Sequence, residues 1–267
     1  MQKNHKITVV TVCYNSASEI EETILSVLSQ DYQSMEYIVI DGGSTDGTVD
    51  IIKKYSDRIA YWVSEPDGGI YYAMNKAVEH ATGDYVNFMN AGDLFFDDNV
   101  LSAVFEGKKY VDDVLYGYHI LHFKGGYKPH YPSDPNVLNQ GMMPFCHQSM
   151  FTKTSLLKEQ PYDTEYRVFA DYVYYRWLFN SGHTFRCVNK FVSVFSVDGV
   201  SASMSLAVYY EMCRVHGWKP KLSHFFTLYR KNMWRKVRYC RVKIFVKSLF
   251  RPDKYNVNLK RFKQIED

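Results

Sequence analysis

Ala81-Thr-Gly-Asp-Tyr-Val-Asn-Phe-Met-Asn-Ala-Gly-Asp93 is the stretch that decides the fold. Its centre, Tyr85 to Met89, is a short, mainly apolar run that reads as a buried strand. The run leads into Asn90-Ala91-Gly92-Asp93, which sets a carboxylate on a tight turn at the C-terminal end of that strand. Open α/β sheets bind ligands outside this end of their strands. A hard carboxylate oxygen there suits Mg2+ or Mn2+ carrying a diphosphate. Taken alone, Asp93 reads equally well as the N-cap of a helix that follows.

Working outward, residues 6–14 are β-branched and apolar without alternation, as in a strand buried on both faces of a parallel sheet. Asn15 to Ser18 is a turn, and Ser18 with Glu21 has the spacing of a capping box. A helix stripe of Ile20, Ile24, Leu25, Val27 and Leu28 runs to about Gln30. A second strand covers 36–41, followed by the Gly42–Gly47 loop and a helix from about Thr48 to Tyr55. A third strand covers 59–64, with a turn at Pro66–Gly69 and a helix from Ile70 to Ala81. This order predicts an α/β fold, a mostly parallel central sheet with right-handed crossovers and flanking helices. The first strand is not followed by Gly-x-Gly-x-x-Gly, which disfavours a dinucleotide-binding fold. Beyond about 113 the pattern is mixed: strands at 114–123, 127–131, 147–152 and 184–197, a loop over 132–146, and an aromatic-rich helix from Val168 to Asn180.

The 267 residues suffice for one large domain and an appendage, and 46% hydrophobic content supports a sizeable core. The five cysteines are scattered without CxxC spacing. That argues against a disulfide framework or zinc site and suits a reducing compartment. The expectation is a cytoplasmic chain with no signal peptide and no transmembrane run.

The net charge of +3 conceals an asymmetry. Residues 1–213 hold 16 Lys+Arg and 26 Asp+Glu, whereas 214–267 hold 16 Lys+Arg and 3 Asp+Glu. We divide the chain accordingly, into a domain at 1–203 and a basic, aromatic-rich helical extension at 204–267. Over about 204–250, Phe225, Phe226, Leu228, Tyr229, Met233, Trp234, Val237 and further apolar residues to Phe250 interleave with Arg and Lys. A helix with an aromatic-aliphatic face and a basic face is expected to lie on an anionic membrane surface. The bland alternative is an amphipathic helix packed on the body. A nucleic-acid partner is disfavoured, because the body is acidic and contains no reader module.

Six segments in order carry a resemblance: Val10-Thr-Val-Cys-Tyr-Asn15, Ile38-Val-Ile-Asp-Gly-Gly-Ser-Thr-Asp-Gly-Thr48, Ser64-Glu-Pro-Asp-Gly-Gly-Ile-Tyr71, Ala73-Met-Asn-Lys76, Gly83-Asp-Tyr-Val86 and Phe88-Met-Asn-Ala-Gly-Asp93. Together they resemble the family 2 glycosyltransferases that build bacterial capsule and exopolysaccharide. The likeness continues more loosely through His147-Gln-Ser-Met-Phe151 and Phe169-Ala-Asp-Tyr172, and it stops short of the basic tail. It implies a GT-A fold and transfer of a sugar from a nucleotide-diphosphate donor, usually with inversion. By motif, Thr11, Tyr14, Asn15 and Asp41 would line the nucleoside pocket, and Asn90 and Ala91 would sit with the nucleotide. Asp93 would end the DXD-like metal motif, and Asp171 would be the general base.

Chemistry supports these roles. A divalent cation neutralises a leaving diphosphate, and a carboxylate in reach of the acceptor hydroxyl takes its proton. Asp41 and Asp46 also read as turn-shaping residues, and Asp171 as a helix N-terminal carboxylate favoured by the macrodipole. Asp67 borders the donor pocket in the family. Lys76 reads equally as a phosphate contact or a solvated helix residue. His147 and Gln148 follow the loop and are candidates for contact with the acceptor or the diphosphate. The chain departs from the family in having one carboxylate in its metal motif. The expected function is an inverting, Mg2+- or Mn2+-assisted glycosyltransferase at the inner face of the cytoplasmic membrane, with a polyprenyl-diphosphate-linked acceptor. A protein or soluble glycan acceptor is the alternative.

Overall fold

A computed structural model describes residues 4–123, 126–196 and 205–238. The expected boundary at 203/204 and the tail beyond 238 lie outside the described residues. The chain forms two compact units. One comprises Met1–His119 and Tyr131–Val194, and the other Ile120–His130 and Phe195–Asp267.

In the first unit, β1 (Ile7–Cys13) is buried at every position, as its unbroken apolar and β-branched run requires. It pairs in parallel with β2 (Met35–Asp41), Cys13 opposite Asp41. Next to β2 lies β3 (Tyr61–Ser64), also parallel, with Asp41 opposite Ser64. On its other side β1 pairs in parallel with β4 (Tyr85–Phe88). The helices between these strands are α1 (Ile20–Leu28), α2 (Thr48–Lys54) and α3 (Ile70–His80). The strand order β3-β2-β1-β4 reverses direction between β1 and β4, and a ligand crevice opens outside the carboxyl ends at such a switch.

Beyond β4 the sheet turns antiparallel. β8 (Met150–Lys153) pairs with β4, Tyr85 opposite Lys153, and β6 (Val114–Phe123) pairs antiparallel with β8. The two-residue β5 (Leu94–Phe95) pairs antiparallel with β9 (Phe185–Ser196). Three further helices complete the unit: α4 (Val100–Phe105), α5 (Thr154–Glu159) and α6 (Ala170–Asn180). β8 runs opposite to β4, so the residues just before Met150 lie beside those just after Phe88. This register brings 147–149 to the Asn90–Asp93 turn.

Several local expectations are corrected. The capping box at Ser18 does not form: α1 begins at Ile20 with Glu19 as N-cap and no side-chain cap. Asp93 caps no helix, because β5 follows it and α4 starts at Val100. His147–Ser149 is a 3-10 turn ahead of β8, not part of the strand. The 132–146 segment carries a 3-10 turn at Pro135–Gln140, held where the Tyr172 hydroxyl donates to the Leu138 carbonyl at 2.6 Å.

The second unit holds the distal part of β6, β7 (Gly126–His130) paired to β6, and a helical hairpin, α7 (Leu206–His216) and α8 (Leu222–Arg238). The single helix read from sequence is broken here by Gly217, which takes a left-handed φ of 65° at the C-cap of α7.

Candidate active site

The carboxyl ends of β1, β2 and β3 form one wall of the crevice. Asp41 is fully buried. Its carboxylate accepts from the amides of Gly43 (3.1 Å) and Ser44 (2.9 Å), from the hydroxyls of Ser64 (2.6 Å) and Ser44, and from the Cys13 thiol (3.5 Å). Burial raises its pKa, but the Ser44 and Ser64 hydroxyls and the Ser44 amide outweigh that and hold it below the ordinary carboxylate value. Asp41 therefore builds the loop after β2 and presents no free oxygen, which is the turn-shaping alternative read from sequence. Asp46 acts similarly, accepting from the Ala17 amide (2.9 Å) and from the amide and hydroxyl of Thr48.

Thr11 is likewise withdrawn into the core. It is fully buried, donates to the Met89 carbonyl at 2.7 Å and shares a 2.8 Å hydrogen bond with the Tyr37 hydroxyl. Expected to line the nucleoside pocket, it ties β1 to the end of β4. Asn15, in the left-handed region at φ 48°, accepts from the Thr45 amide (3.0 Å) and donates its own amide to Ser44 Oγ (2.7 Å). It joins the loops after β1 and β2. Tyr14 between them is 65% exposed, leaving a ring face open for stacking.

Asp67, after β3, is half-buried, and its Oδ1 accepts from the Gly69 amide at 2.8 Å. A Cβ on Gly42 would come 3.2 Å from Asp67 Oδ2, so the bare glycine makes room for this carboxylate over the β2 loop. Lys76 forms a 2.5 Å ion pair with Glu65. Its ammonium is thus paired locally, on a shallow pocket of about 370 Å³ lined by Asp67, Tyr72, Asn75 and Lys76 among others.

The opposite wall gathers the polar residues of the second half. Asp93 is buried, and its Oδ2 accepts from Gln148 Nε2 at 2.7 Å. The other end of the Gln148 amide accepts from the Cys146 thiol, so both ends of that amide are fixed. Asn87, buried in β4, donates to the carbonyls of Gln148 (2.9 Å) and Met150 (2.8 Å) and clamps the turn. Asn90 Nδ2 lies 3.1 Å from His147 Nε2, and His147 Nδ1 lies 3.5 Å from Asp171 Oδ2. Donation from Asn90 to Nε2 leaves the proton on Nδ1, directed at Asp171. Asp171 Oδ1 accepts from the Tyr172 amide (2.8 Å) and the Tyr71 hydroxyl (3.0 Å), whose proton is shared with the Val168 carbonyl (2.9 Å). The structure thus links Asn90, His147, Asp171 and Tyr71 in one chain, with the Asp93–Gln148 pair alongside. Ala91 fixes the turn by donating its amide to the Val12 carbonyl at 3.2 Å.

Sequence reasoning missed Tyr71, Asn87 and Glu19. A polar residue inside the buried run of β4 was the available signal for Asn87. Glu19 lies over the turn, where a Cβ on Gly92 would meet its Oε2 at 2.9 Å, and Gly92 has φ 92°. The left-handed φ is what favours glycine there.

Among the described residues, no group of three His, Cys, Asp or Glu side chains is assembled to hold a metal. The donors present are hard oxygens: the Asp93 carboxylate and Asn90 Oδ1, a buried atom with no hydrogen-bond partner. Mg2+ is commonly held by one or two carboxylates together with substrate phosphates and waters. The set therefore fits a divalent cation that arrives with a diphosphate.

Residues 8–179 match the family model described as glycosyl transferase family 2. The chain belongs to glycosyl transferase family 2. It is 34% identical over 172 residues to an uncharacterized glycosyltransferase of Mycobacterium tuberculosis, covering 62% of this chain and 65%, just under two thirds, of that relative. Solved structures share the GT-A fold. TarS of S. aureus in complex with UDP aligns at TM-score 0.61 and 20% identity, over 97% of this chain and 77% of that one. A mannosyltransferase, PcManGT of Pyrobaculum calidifontis, in complex with GDP-Man and Mn2+, aligns at TM-score 0.60 and 21% identity, over 86% and 69%.

Proposed function

We propose that the chain transfers a sugar from a nucleotide-diphosphate donor to an acceptor hydroxyl with inversion. The observation that carries this reading is the line Asn90–His147–Asp171–Tyr71 beside Asp93, at the switch point of a family 2 fold. Tyr14 stacks on the base, and Asp67 supplies the free carboxylate of the nucleoside wall. Asn15, Asp41 and Thr11 keep that wall in shape, and Lys76 holds Glu65 at its edge. Asp93 and Asn90 Oδ1 would hold Mg2+ or Mn2+, with Ala91 setting their turn and Gln148 orienting Asp93. A bound cation supplies charge neutralisation on the leaving diphosphate.

Asp171 is the base. It takes the acceptor hydroxyl's proton as that oxygen bonds to the anomeric carbon and the bond to the diphosphate breaks, which inverts the centre. Tyr71 and the His147 Nδ1–H orient the carboxylate and leave it able to accept.

The acceptor we propose is a lipid-linked glycan at an anionic membrane, because 214–267 carries 16 Lys+Arg against 3 Asp+Glu. No helix among the described residues is long and apolar enough to cross a membrane.

A thermal-shift screen with UDP, GDP, dTDP and CMP, each with and without Mn2+, tests the donor half. One metal-dependent stabilisation is expected, weakened in Asp93→Asn. Asp171→Asn is expected to bind the same nucleotide and lose ~10²–10⁴ of turnover. No shift with any nucleotide, or near-normal turnover in Asp171→Asn, refutes the assignment. Equal rates on a delipidated acceptor would replace the lipid acceptor with a soluble one.

A further inference from the structure

The α7–α8 hairpin is held together by its own contacts. Ser205 Oγ caps α7 by accepting from the Val208 amide at 3.2 Å. The Tyr209 hydroxyl, at a buried residue, accepts from the Lys221 amide (2.9 Å) and donates to the Lys221 carbonyl (3.0 Å). Phe225 packs on the Tyr209 ring at 5.5 Å. Trp218 packs on His224 at 5.3 Å and Tyr229 on Phe225 at 5.8 Å, yet Trp218, Leu222, Phe226 and Tyr229 remain between 42% and 65% exposed.

Leu222, Phe226 and Tyr229 stand at i, i+4 and i+7, so they share one face of α8, and Trp218 lies in the connection between α7 and α8. From Leu222 to Arg230 no side chain is buried. A run of amphipathic helix that leaves Leu222, Phe226 and Tyr229 this exposed is unusual in a soluble protein. Its charge says what covers that face: residues 206–238 carry eight Lys+Arg against one acid, Glu211, with Lys219, Lys221 and Arg230 exposed beside the stripe. Aromatic side chains interleaved with bases suit the boundary between headgroups and acyl chains of an anionic bilayer.

We propose that this hairpin is a membrane-docking surface: Trp218, Leu222, Phe226 and Tyr229 enter the interface of an anionic lipid bilayer while the flanking bases contact its headgroups. The inference rests on the membrane reading above and goes further by assigning the contact to one helix face. That face acts by apolar insertion as well as by charge.

The test is flotation of the full chain with vesicles of phosphatidylcholine plus phosphatidylglycerol, against phosphatidylcholine alone. Wild type is expected to float with the anionic vesicles only. Leu222→Asp/Phe226→Asp is expected to lower partition by about tenfold or more, at unchanged melting temperature and nucleotide-induced stabilisation. If that pair misfolds, Leu222→Ser/Phe226→Ser is expected to give a smaller loss in the same direction. Undiminished flotation of the variants overturns the assignment to this face and leaves a purely electrostatic tail. Failure of wild type to float overturns both the inference and the membrane reading. A wild-type dimer that becomes monomeric in the variants, without vesicle binding in either, identifies a second copy as the occupant and overturns the inference as well.

Discussion

Replacing Glu36 by Gln tests how the base of the sheet is fastened. The Glu36 carboxylate bonds Lys6 Nζ (2.7 Å), the Thr8 and Thr82 hydroxyls, and the amides of Thr82 and Gly83 (3.0 Å). These contacts join β1, β2 and the turn before β4. Burial works against the charge, but Lys6 and the two threonine hydroxyls prevail and lower the pKa from 4.5 to about 2. Its side chain is only 11% exposed, so water screens these bonds little. A difference of that size is worth about 3 kcal/mol. The folded pKa lies below the unfolded one, so this stabilisation is complete above pH 4.5 and is lost as pH falls towards 2. Urea unfolding of wild type and Glu36→Gln across that range is expected to show a gap of about 3 kcal/mol at neutral pH. The gap should close as the solution is acidified. A gap that does not change with pH would refute the argument. Nucleotide binding by the folded variant should be unaltered, because these residues lie at the opposite end of the strands from the crevice.

Other consequences can be checked as readily. Thr11→Val should cost about 1–3 kcal/mol of stability, by stranding the buried Tyr37 hydroxyl and Met89 carbonyl, yet leave nucleotide affinity untouched in calorimetry. A loss of affinity without loss of stability would return Thr11 to the pocket. Tyr71→Phe removes a hydrogen bond to the proposed base and should lower kcat about tenfold or more with nucleotide Kd unchanged. Gly83→Ala should destabilise strongly by thermal unfolding, since its Cβ would sit 2.6 Å from the Thr8 backbone nitrogen. Chelation by EDTA should reduce turnover, with recovery on adding Mn2+ that is impaired in Asp93→Asn.

The central parallel strands were legible because burial on both faces leaves a dense apolar and β-branched run, as in Val9-Val-Thr-Val12 and Ile38-Val-Ile40. In the antiparallel half β6, β7 and β9 were legible as strands, whereas β5, with two residues, is too short for a period to show and the start of β8 was placed at His147 instead of Met150. The residues of the site were legible as types and in part as partners. Asp93, His147, Gln148 and Asp171 were singled out and are adjacent in space. The direction in which each side chain points was hidden. A carboxylate at a strand end looks the same in sequence whether it faces a ligand, as Asp67 does in our reading, or its own loop, as Asp41 does. Thr11 illustrates the same limit, because alternate residues of a two-sided strand face opposite layers.

Gly42 and Asp67 bear on how such a chain changes its diet of donors. The loop after β2 is tied up internally by Asp41. The carboxylate left over belongs to a loop after β3, a strand at the sheet margin none of whose four residues is fully buried. Exchanging Asp67, or adding bulk at Gly42 to push it aside, disturbs little packing. If Asp67 reads the donor's nucleoside, as proposed, donor choice rests on a loop at the sheet margin, and loop substitutions there would change it without disturbing the buried strands β1 and β2.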